Sequence, residues 1–398
     1  MKATFSSSLP EGTIKAPPSK SISHRALICG ALSECSSIEN IAFSDDISAT
    51  HSCLEALGAK FCGSKTGGLI LDMVPDGAEL FCNESGSTLR FLLPFCMASG
   101  KKIKLYGSER LFSRPLGVYE DIAKTQNISF LKEKNSVTVC GTLEPGDFTI
   151  PGNISSQFIS GLLFLLPILH KDSNIFITGN FESRSYVDMT IDTLEKFGIK
   201  IGISGNTFRI FGNQKYKNRS FAVEGDYSNA AFADAFNYIG GNVEITGLNP
   251  DSLQGDRVYK SIFEKIKNGE TLFDISDCPD LAPIAFVLAA FFGKVTFTGT
   301  SRLKIKESDR ALCMKQELAK CNVKTEISEN SVTVFGGNVQ KPTLTLEGHN
   351  DHRIVMALSV LLAITGGAID GAQAVSKSYP EFFDSLKALK AGIELYGT

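Results

Sequence analysis

Six times along this chain a short polar motif runs into an apolar, helix-like stretch, then through a turn into a β-rich run. The copies open as SKSISHRALICGAL at Ser19, SGSTLRFLLPFCMASG at Ser85 and ISSQFISGLLFLLPILH at Ile154. They continue as DYSNAAFADAFNYIGG at Asp226, CPDLAPIAFVLAAFFG at Cys278 and NDHRIVMALSVLLAITGG at Asn350. A repeat constrains a fold more than any single motif, because every copy must be one supersecondary unit. More amphipathic helices follow, as in DISATHSCLEALGAKF from Asp46, YVDMTIDTLEKFGIKI from Tyr186 and ALCMKQELAKCNVKTEI from Ala311. Their apolar residues recur at three- and four-residue spacing, and several end in Gly or Asn, a helix-stop signal. Copies roughly 50 to 75 residues apart are too long for a common solenoid unit and suit a β-α-β-α-β-β module.

Six modules predict an α/β chain of two three-module domains, residues 18–225 and 226–398, with the crossover at Glu224-Gly225-Asp226. The strand-like residues before Thr13-Ile14 are expected to pack, within 1–17, on the second domain. The polar motifs carry the functional expectation. A helix N-terminus presents unpaired N–H groups and partial positive charge, so six such ends facing one cleft would bind anions.

Bulk composition narrows the partners. With 398 residues, 43% hydrophobic and 21% charged, the chain can bury a large core. A net charge of −3 gives no global attraction to nucleic acid or to an anionic membrane, and no aromatic residues interleave with a basic stripe. The longest apolar run, Ile354 to Ile369, is broken by Ser359, Thr365 and two glycines and reads as a buried helix. The ten cysteines include no C-x-x-C pair and no zinc-ligand spacing. No secretory signal opens the chain. Reduced thiols in a cytoplasmic protein are therefore expected, with Cys29, Cys53 and Cys96 as small core residues. A P-loop, a nucleophile elbow and a dinucleotide fingerprint are all missing.

Basic and polar side chains cluster in the motifs. Lys20, Ser21 and Arg25 lie in the first and Arg90 closes the second, with Arg114 soon after; Ser155, Ser156 and Gln157 lie in the third. Asp280 is in the fifth, KIKESDR supplies Lys306, Glu307 and Arg310, the sixth carries His352 and Arg353, and Lys377 lies near the end. Arg grips phosphate and carboxylate bidentately and Lys acts as a point charge. Each residue also has a plainer reading. Ser155, Ser156 and Asp280 could be helix caps, Glu307, Asp309 and Arg310 a set of surface pairs, and His352 a helix-start residue.

The ordered set PPSKSISHRA, ESGSTLR, Arg114-Pro115, ISSQF, SYVDMT, EGDYSNAA, QGD, PDLAP, KIKESDR, NDHR and Lys377 before Tyr379-Pro380 resembles the enolpyruvyl transferases, and among them the 5-enolpyruvylshikimate-3-phosphate synthase family. The match runs from Lys15 to about Pro380. The resemblance implies a two-domain inside-out α/β barrel that closes around its first substrate, without metal or organic cofactor, acting as a monomer and inhibited by glyphosate, which the small Gly86 would admit. It implies that Lys20, Ser21, Arg25, Ser155, Ser156, Gln157, Ser183, Tyr186, Asp280 and Lys306 bind shikimate 3-phosphate. It implies that Lys20, Gly86, Arg114, Gln157, Arg310, Arg353 and Lys377 bind phosphoenolpyruvate. Asp280 and Glu307 match the two catalytic carboxylates, with Lys20 beside them.

The sequence departs from the family at three points. Pro18 stands where Gly is usual before S-K-S, Glu84 where Asn is common, and Arg302 where Asn often contacts shikimate. Two alternatives remain at this stage. The sister UDP-N-acetylglucosamine enolpyruvyl transferases usually carry a Cys five residues before the loop Arg-Pro; that position is Glu109 here. A non-catalytic anion-binding homologue would be expected to lose Asp280, Glu307 or Lys20, and all three are present.

Overall fold

The computed structural model describes residues 1–397. The chain forms two compact units, Pro18–Glu224 and Met1–Pro17 with Gly225–Thr398. Each has its own hydrophobic core.

In the Pro18–Glu224 unit three four-stranded sheets share one topology. The middle one runs Glu79–Asn83, Ile103–Gly107, Ser136–Cys140, Ser129–Lys132, the first pair parallel and the rest antiparallel. Asp147–Pro151, Ser173–Thr178, Thr207–Ile210 and Ile201–Ser204 repeat that order. The first module must borrow a strand: Ser220–Ala222, from the end of the unit, pairs parallel with Ser36–Glu39. Five helices of this unit matter below: α1 (Lys20–Leu32), α2 (Asp45–Ala56), α3 (Gly86–Ala98), α4 (Ser156–Leu165) and α5 (Arg184–Lys196).

The other unit uses the same plan with two changes. Its last sheet runs Leu346–Glu347, Gly367–Asp370, Lys2–Ser6, Gly392–Tyr396, so the N-terminal strand completes the sixth module. The fourth module does not follow the expected β-α-β-α-β-β plan. Only Asn242–Thr246 and Glu11–Lys15 pair there, and the chain passes from helix Tyr259–Lys267 directly to strand Leu272–Asp274. The reason is length: 52 residues separate Asp226 from Cys278, against 72 from Ile154 to Asp226, which leaves nothing for a hairpin. The helices that matter here are α6 (Tyr227–Tyr238), α7 (Ala282–Phe292), α8 (Arg310–Lys320) and α9 (His352–Thr365).

The helices that follow the polar motifs are central. Residues 282–290 of α7 are all buried, as are all of α9 except Ile364 and Thr365. A helix apolar on every side is stable only inside a core, and each large side chain buried contributes about 1.5–3 kcal/mol. No helix among the described residues is long and apolar enough to cross a membrane. The ten cysteines are free, and Cys29, Cys53 and Cys96 are buried.

Candidate active site

The Pro18–Glu224 unit gathers its polar residues at the starts of α1, α3, α4 and α5. Lys20, the first residue of α1, places Nζ 2.7 Å from Asp46 Oδ2 on α2. Arg25, one turn on, is buried. Its Nε donates to Thr190 Oγ1 at 2.9 Å, Nη1 to the Ser21 carbonyl at 2.6 Å and Nη2 to the Tyr186 carbonyl at 2.7 Å. Burial brings Arg25 down to about 10, so it stays cationic at neutral pH. His24 faces away, into the core, with Nδ1 2.7 Å from Thr50 Oγ1; burial holds it far below the usual imidazole value and therefore neutral. Ser183 sits buried just before α5 with φ 54° and ψ 39°. That left-handed conformation costs a serine about 1–2 kcal/mol, which the surrounding structure must offset.

Gly86 opens α3 beneath the Ser85 cap, whose hydroxyl accepts the Thr88 N–H at 3.1 Å. A Cβ at Gly86 would lie 2.8 Å from Arg114 Nη1 and 2.9 Å from Arg90 Nη1, so two guanidinium groups converge on this residue. Arg90 Nη1 donates to Gln157 Oε1 at 2.9 Å and Nη2 to the Pro115 carbonyl at 3.0 Å, while Gln157 Nε2 donates to Ser87 Oγ at 3.0 Å. Ser155 caps α4, accepting the Gln157 N–H at 3.3 Å, and Ser156 is the buried residue after it. Gly86, Arg114, Gln157, Ser155 and Ser156 therefore form one cluster. Lys20 is tied towards it through Asp46, whose carbonyl accepts from Thr88 Oγ1 at 3.4 Å.

In the other unit the starts of α6, α7, α8 and α9 hold an ionic network. Asp280 is not the cap that the plain reading suggested. Pro279, with its fixed φ, begins a 3-10 turn one residue earlier, so Cys278 takes the cap position and Asp280 lies inside Pro279–Leu281. Nor are Glu307 and Arg310 surface residues paired in solvent. Arg310 is 1% exposed and binds three carboxylates: Nη1 to Asp280 Oδ1 at 2.7 Å, Nη2 to Glu307 Oε2 at 2.9 Å and Nε to Asp351 Oδ2 at 2.9 Å. Lys306 Nζ is 3.3 Å from Asp280 Oδ1, and Arg353 Nη2 is 3.6 Å from Asp280 Oδ2. Lys377 reaches the carbonyl of Asn350, 2.5 Å away.

Burial alone would raise Asp280, but Lys306, Arg310 and Arg353 outweigh it and hold the carboxyl well below its usual range. Burial depresses Lys306, with Asp280 acting against that. Asp256, from the QGD motif, is buried and pushed up to about 7, first by burial and then by Asp280, with Arg353 opposing.

Sequence reasoning gave no role to Asp351, Asn229 or Asp46, and counted Arg90 only among the basic residues of the motifs. Asp351 is fully buried, receives Ser308 Oγ at 3.0 Å and also caps α9. Asn229 Oδ1 accepts from Arg353 Nη1 at 3.2 Å. Their only sequence signal was a place in a polar motif at a helix start. Arg302 is buried within the field of Lys306. Glu109 makes an exposed pair with Lys134, 2.8 Å. No group of three or more His, Cys, Asp or Glu among the described residues could hold a metal ion.

The family model for EPSP synthase (3-phosphoshikimate 1-carboxyvinyltransferase) matches residues 7–386. The chain belongs to the EPSP synthase family. It is 42% identical to the 3-phosphoshikimate 1-carboxyvinyltransferase of Clostridium acetobutylicum, over 95% of each chain, and 40% identical to that of Clostridioides difficile, over 96% of each. Solved structures agree in fold: EPSP synthase from Acinetobacter baumannii superposes with a TM-score of 0.78 over the full length of both chains at 21% identity. The enolpyruvyl transferase NikO from Streptomyces tendae gives 0.77 at 15% identity, over 99% and 98% of the two chains. The chain is thus an enolpyruvyl transferase of the shikimate pathway, and both the sister-transferase and the non-catalytic alternatives fall away.

Proposed function

We propose that Asp280 and Glu307 are the base and the acid in the transfer of the enolpyruvyl group of phosphoenolpyruvate to the 5-hydroxyl of shikimate 3-phosphate. The observation that carries this is one guanidinium bonded to both carboxylates, Arg310 Nη1 to Asp280 and Nη2 to Glu307. A rigid planar fork fixes the spacing of the two groups. Lys20, Ser21, Arg25, Ser155, Ser156, Gln157, Ser183, Tyr186, Asp280 and Lys306 are the shikimate 3-phosphate contacts in this reading. Lys20, Gly86, Arg114, Gln157, Arg310, Arg353 and Lys377 are the phosphoenolpyruvate contacts.

Asp280 takes the proton of the 5-hydroxyl as its oxygen bonds to C2 of phosphoenolpyruvate, and Glu307 gives a proton to C3, turning methylene into methyl. The product of this addition is a tetrahedral phosphoketal. Phosphate then leaves C2, taking the proton held by Asp280, while Glu307 takes a proton back from the methyl group, which restores the double bond and both carboxyl groups. Every bond change is met by a proton donor or acceptor among these residues, and the cations stabilise the anionic intermediate. Before substrate arrives, Asp280 is held by three cations and is a weak base. Anionic phosphoenolpyruvate takes up part of their charge and so raises the basicity of Asp280. We place the enzyme in the cytoplasm: ten free thiols, with Cys35, Cys62 and Cys140 exposed, suit a reducing compartment; its reading as a monomer rests on the family resemblance.

Phosphate release from purified protein tests the assignment. Release that requires both substrates, and falls at least about 10²-fold in Asp280→Ala and in Glu307→Gln, is expected. Full activity in either variant would remove that residue from the chemistry.

A further inference from the structure

The loop that delivers Asp351 and Arg353 is gripped from a second side, by residues outside the ionic network. His349 and Asn350 both have left-handed backbone, with φ 50° and 51°. Non-glycine residues adopt that region in succession only where their surroundings impose it. One restraint is local: the Gly348 N–H donates to the Asp370 carbonyl and the Asp351 N–H to the Gly348 carbonyl, each at 2.9 Å. The other comes from α8. Its buried Glu317 places Oε1 2.9 Å from His349 Nε2, while Oε2 accepts from Lys320 Nζ at 2.7 Å and from the Glu347 N–H at 2.8 Å.

Arg310 and Glu317 are seven residues apart on α8, two turns, and so lie on one face of the helix. The first grips Asp351 and the second grips His349, two residues earlier in the same loop. We propose that the Glu317–His349 pair is a positioning device for the phosphoenolpyruvate loop, acting through Asp351 and through the Asn350 carbonyl that receives Lys377. It rests on the reading of Arg353 and Lys377 as phosphoenolpyruvate contacts. Neither member of the pair touches the substrate. The hydrogen bonds of His349 to Cys313 and Glu317 push the imidazole up to about 10, so the pair is ionic throughout the neutral range. Losing the pair lets residues 349–350 relax towards commoner backbone angles, which swings the Asn350 carbonyl and with it the Lys377 ammonium.

The test is steady-state kinetics of full-length His349→Ala and His349→Gln, each substrate varied at saturating partner, with Arg353→Ala alongside. The Ala variant is expected to raise KM for phosphoenolpyruvate about tenfold, with kcat and KM for shikimate 3-phosphate within about twofold. The Gln variant, whose amide nitrogen still reaches Glu317, is expected to recover most of the loss. If His349→Ala does not fold, His349→Asn, whose amide stops short of Glu317, makes the same comparison against His349→Gln. An unchanged KM for phosphoenolpyruvate, equal changes in all three constants, or no rescue by Gln overturns the inference while Arg353→Ala still raises that KM. An Arg353→Ala enzyme with unchanged KM overturns the site reading, and the inference with it.

Discussion

Gly86 shows how much a single missing methyl group can decide. Its φ is ordinary, so its requirement is space: the Cβ of an alanine would fall 2.8 Å from Arg114 Nη1 and 2.9 Å from Arg90 Nη1. Both neighbours are the ends of flexible side chains, not backbone. The fold of Gly86→Ala should therefore survive, with the melting temperature nearly unchanged, while the guanidinium groups move. We expect KM for phosphoenolpyruvate to rise about tenfold, a loss of about 1.4 kcal/mol. Glyphosate should inhibit the native enzyme below millimolar concentration and inhibit the variant more weakly. A native inhibition curve that stays flat to millimolar glyphosate, or an alanine variant with native kinetics, would contradict this. At this scale the sequence exposed residue types but not partners. Arg310 was visible as a phosphate-binding candidate with Glu307 as a local partner; Asp280 and Asp351 were not visible as partners, because they lie 30 and 41 residues away. Asp46 was equally silent, one acid in a polar stretch until α2 turned it towards Lys20.

Elements carry the next layer, and α3 is the instructive one. Pro94 lies inside this helix and has no N–H for the carbonyl of Arg90, four residues back. The Tyr119 hydroxyl supplies the missing donor, 2.7 Å from that carbonyl, and also reaches the Phe158 carbonyl on α4 at 3.2 Å. Gly161 permits the approach, since a Cβ there would clash with the Arg90 carbonyl and the Tyr119 hydroxyl. Tyr119→Phe should cost about 1–3 kcal/mol by leaving a buried carbonyl unsatisfied. Gly161→Ala should cost more, because backbone must shift. Urea denaturation of both variants checks the order, and a larger loss in Tyr119→Phe than in Gly161→Ala would refute it. Arg90 also holds Gln157, so a kcat/KM loss should accompany either change. The sequence made the helices legible through periodicity, and Pro94 was plain to see. The compensation was not, because it comes from Tyr119 on the helix Gly117–Thr125, which lies outside the repeated motifs. The fourth module's missing hairpin is the opposite case: residue spacing alone could have revealed it.

At the scale of the whole chain, repetition made the α/β class legible, yet two strands had no local signal of their partners. Lys2–Ser6 inserts between Gly367–Asp370 and Gly392–Tyr396, and Ser220–Ala222 pairs with Ser36–Glu39. Strand patterning says that a segment is extended, never which distant edge it will join. The second pairing has a testable consequence. Residues 18–224 are continuous and hold a complete hydrophobic core, and Ser220–Ala222 covers the edge of the first module's sheet, with Phe221 packed on that core. A chain of residues 18–224 should therefore unfold in a single cooperative thermal transition. A chain of residues 18–218 should lose that strand, leave the Ser36–Glu39 edge unpaired and lose the burial of Phe221. Together these should cost about 2–4 kcal/mol, from one apolar side chain and a few strand hydrogen bonds. Its melting temperature should fall by several degrees, and its exposed edge should promote association. Equal melting temperatures for the two chains would show that the borrowed strand does not stabilise the unit. A fragment 18–224 that melts without cooperativity would show that this core depends on the rest of the chain.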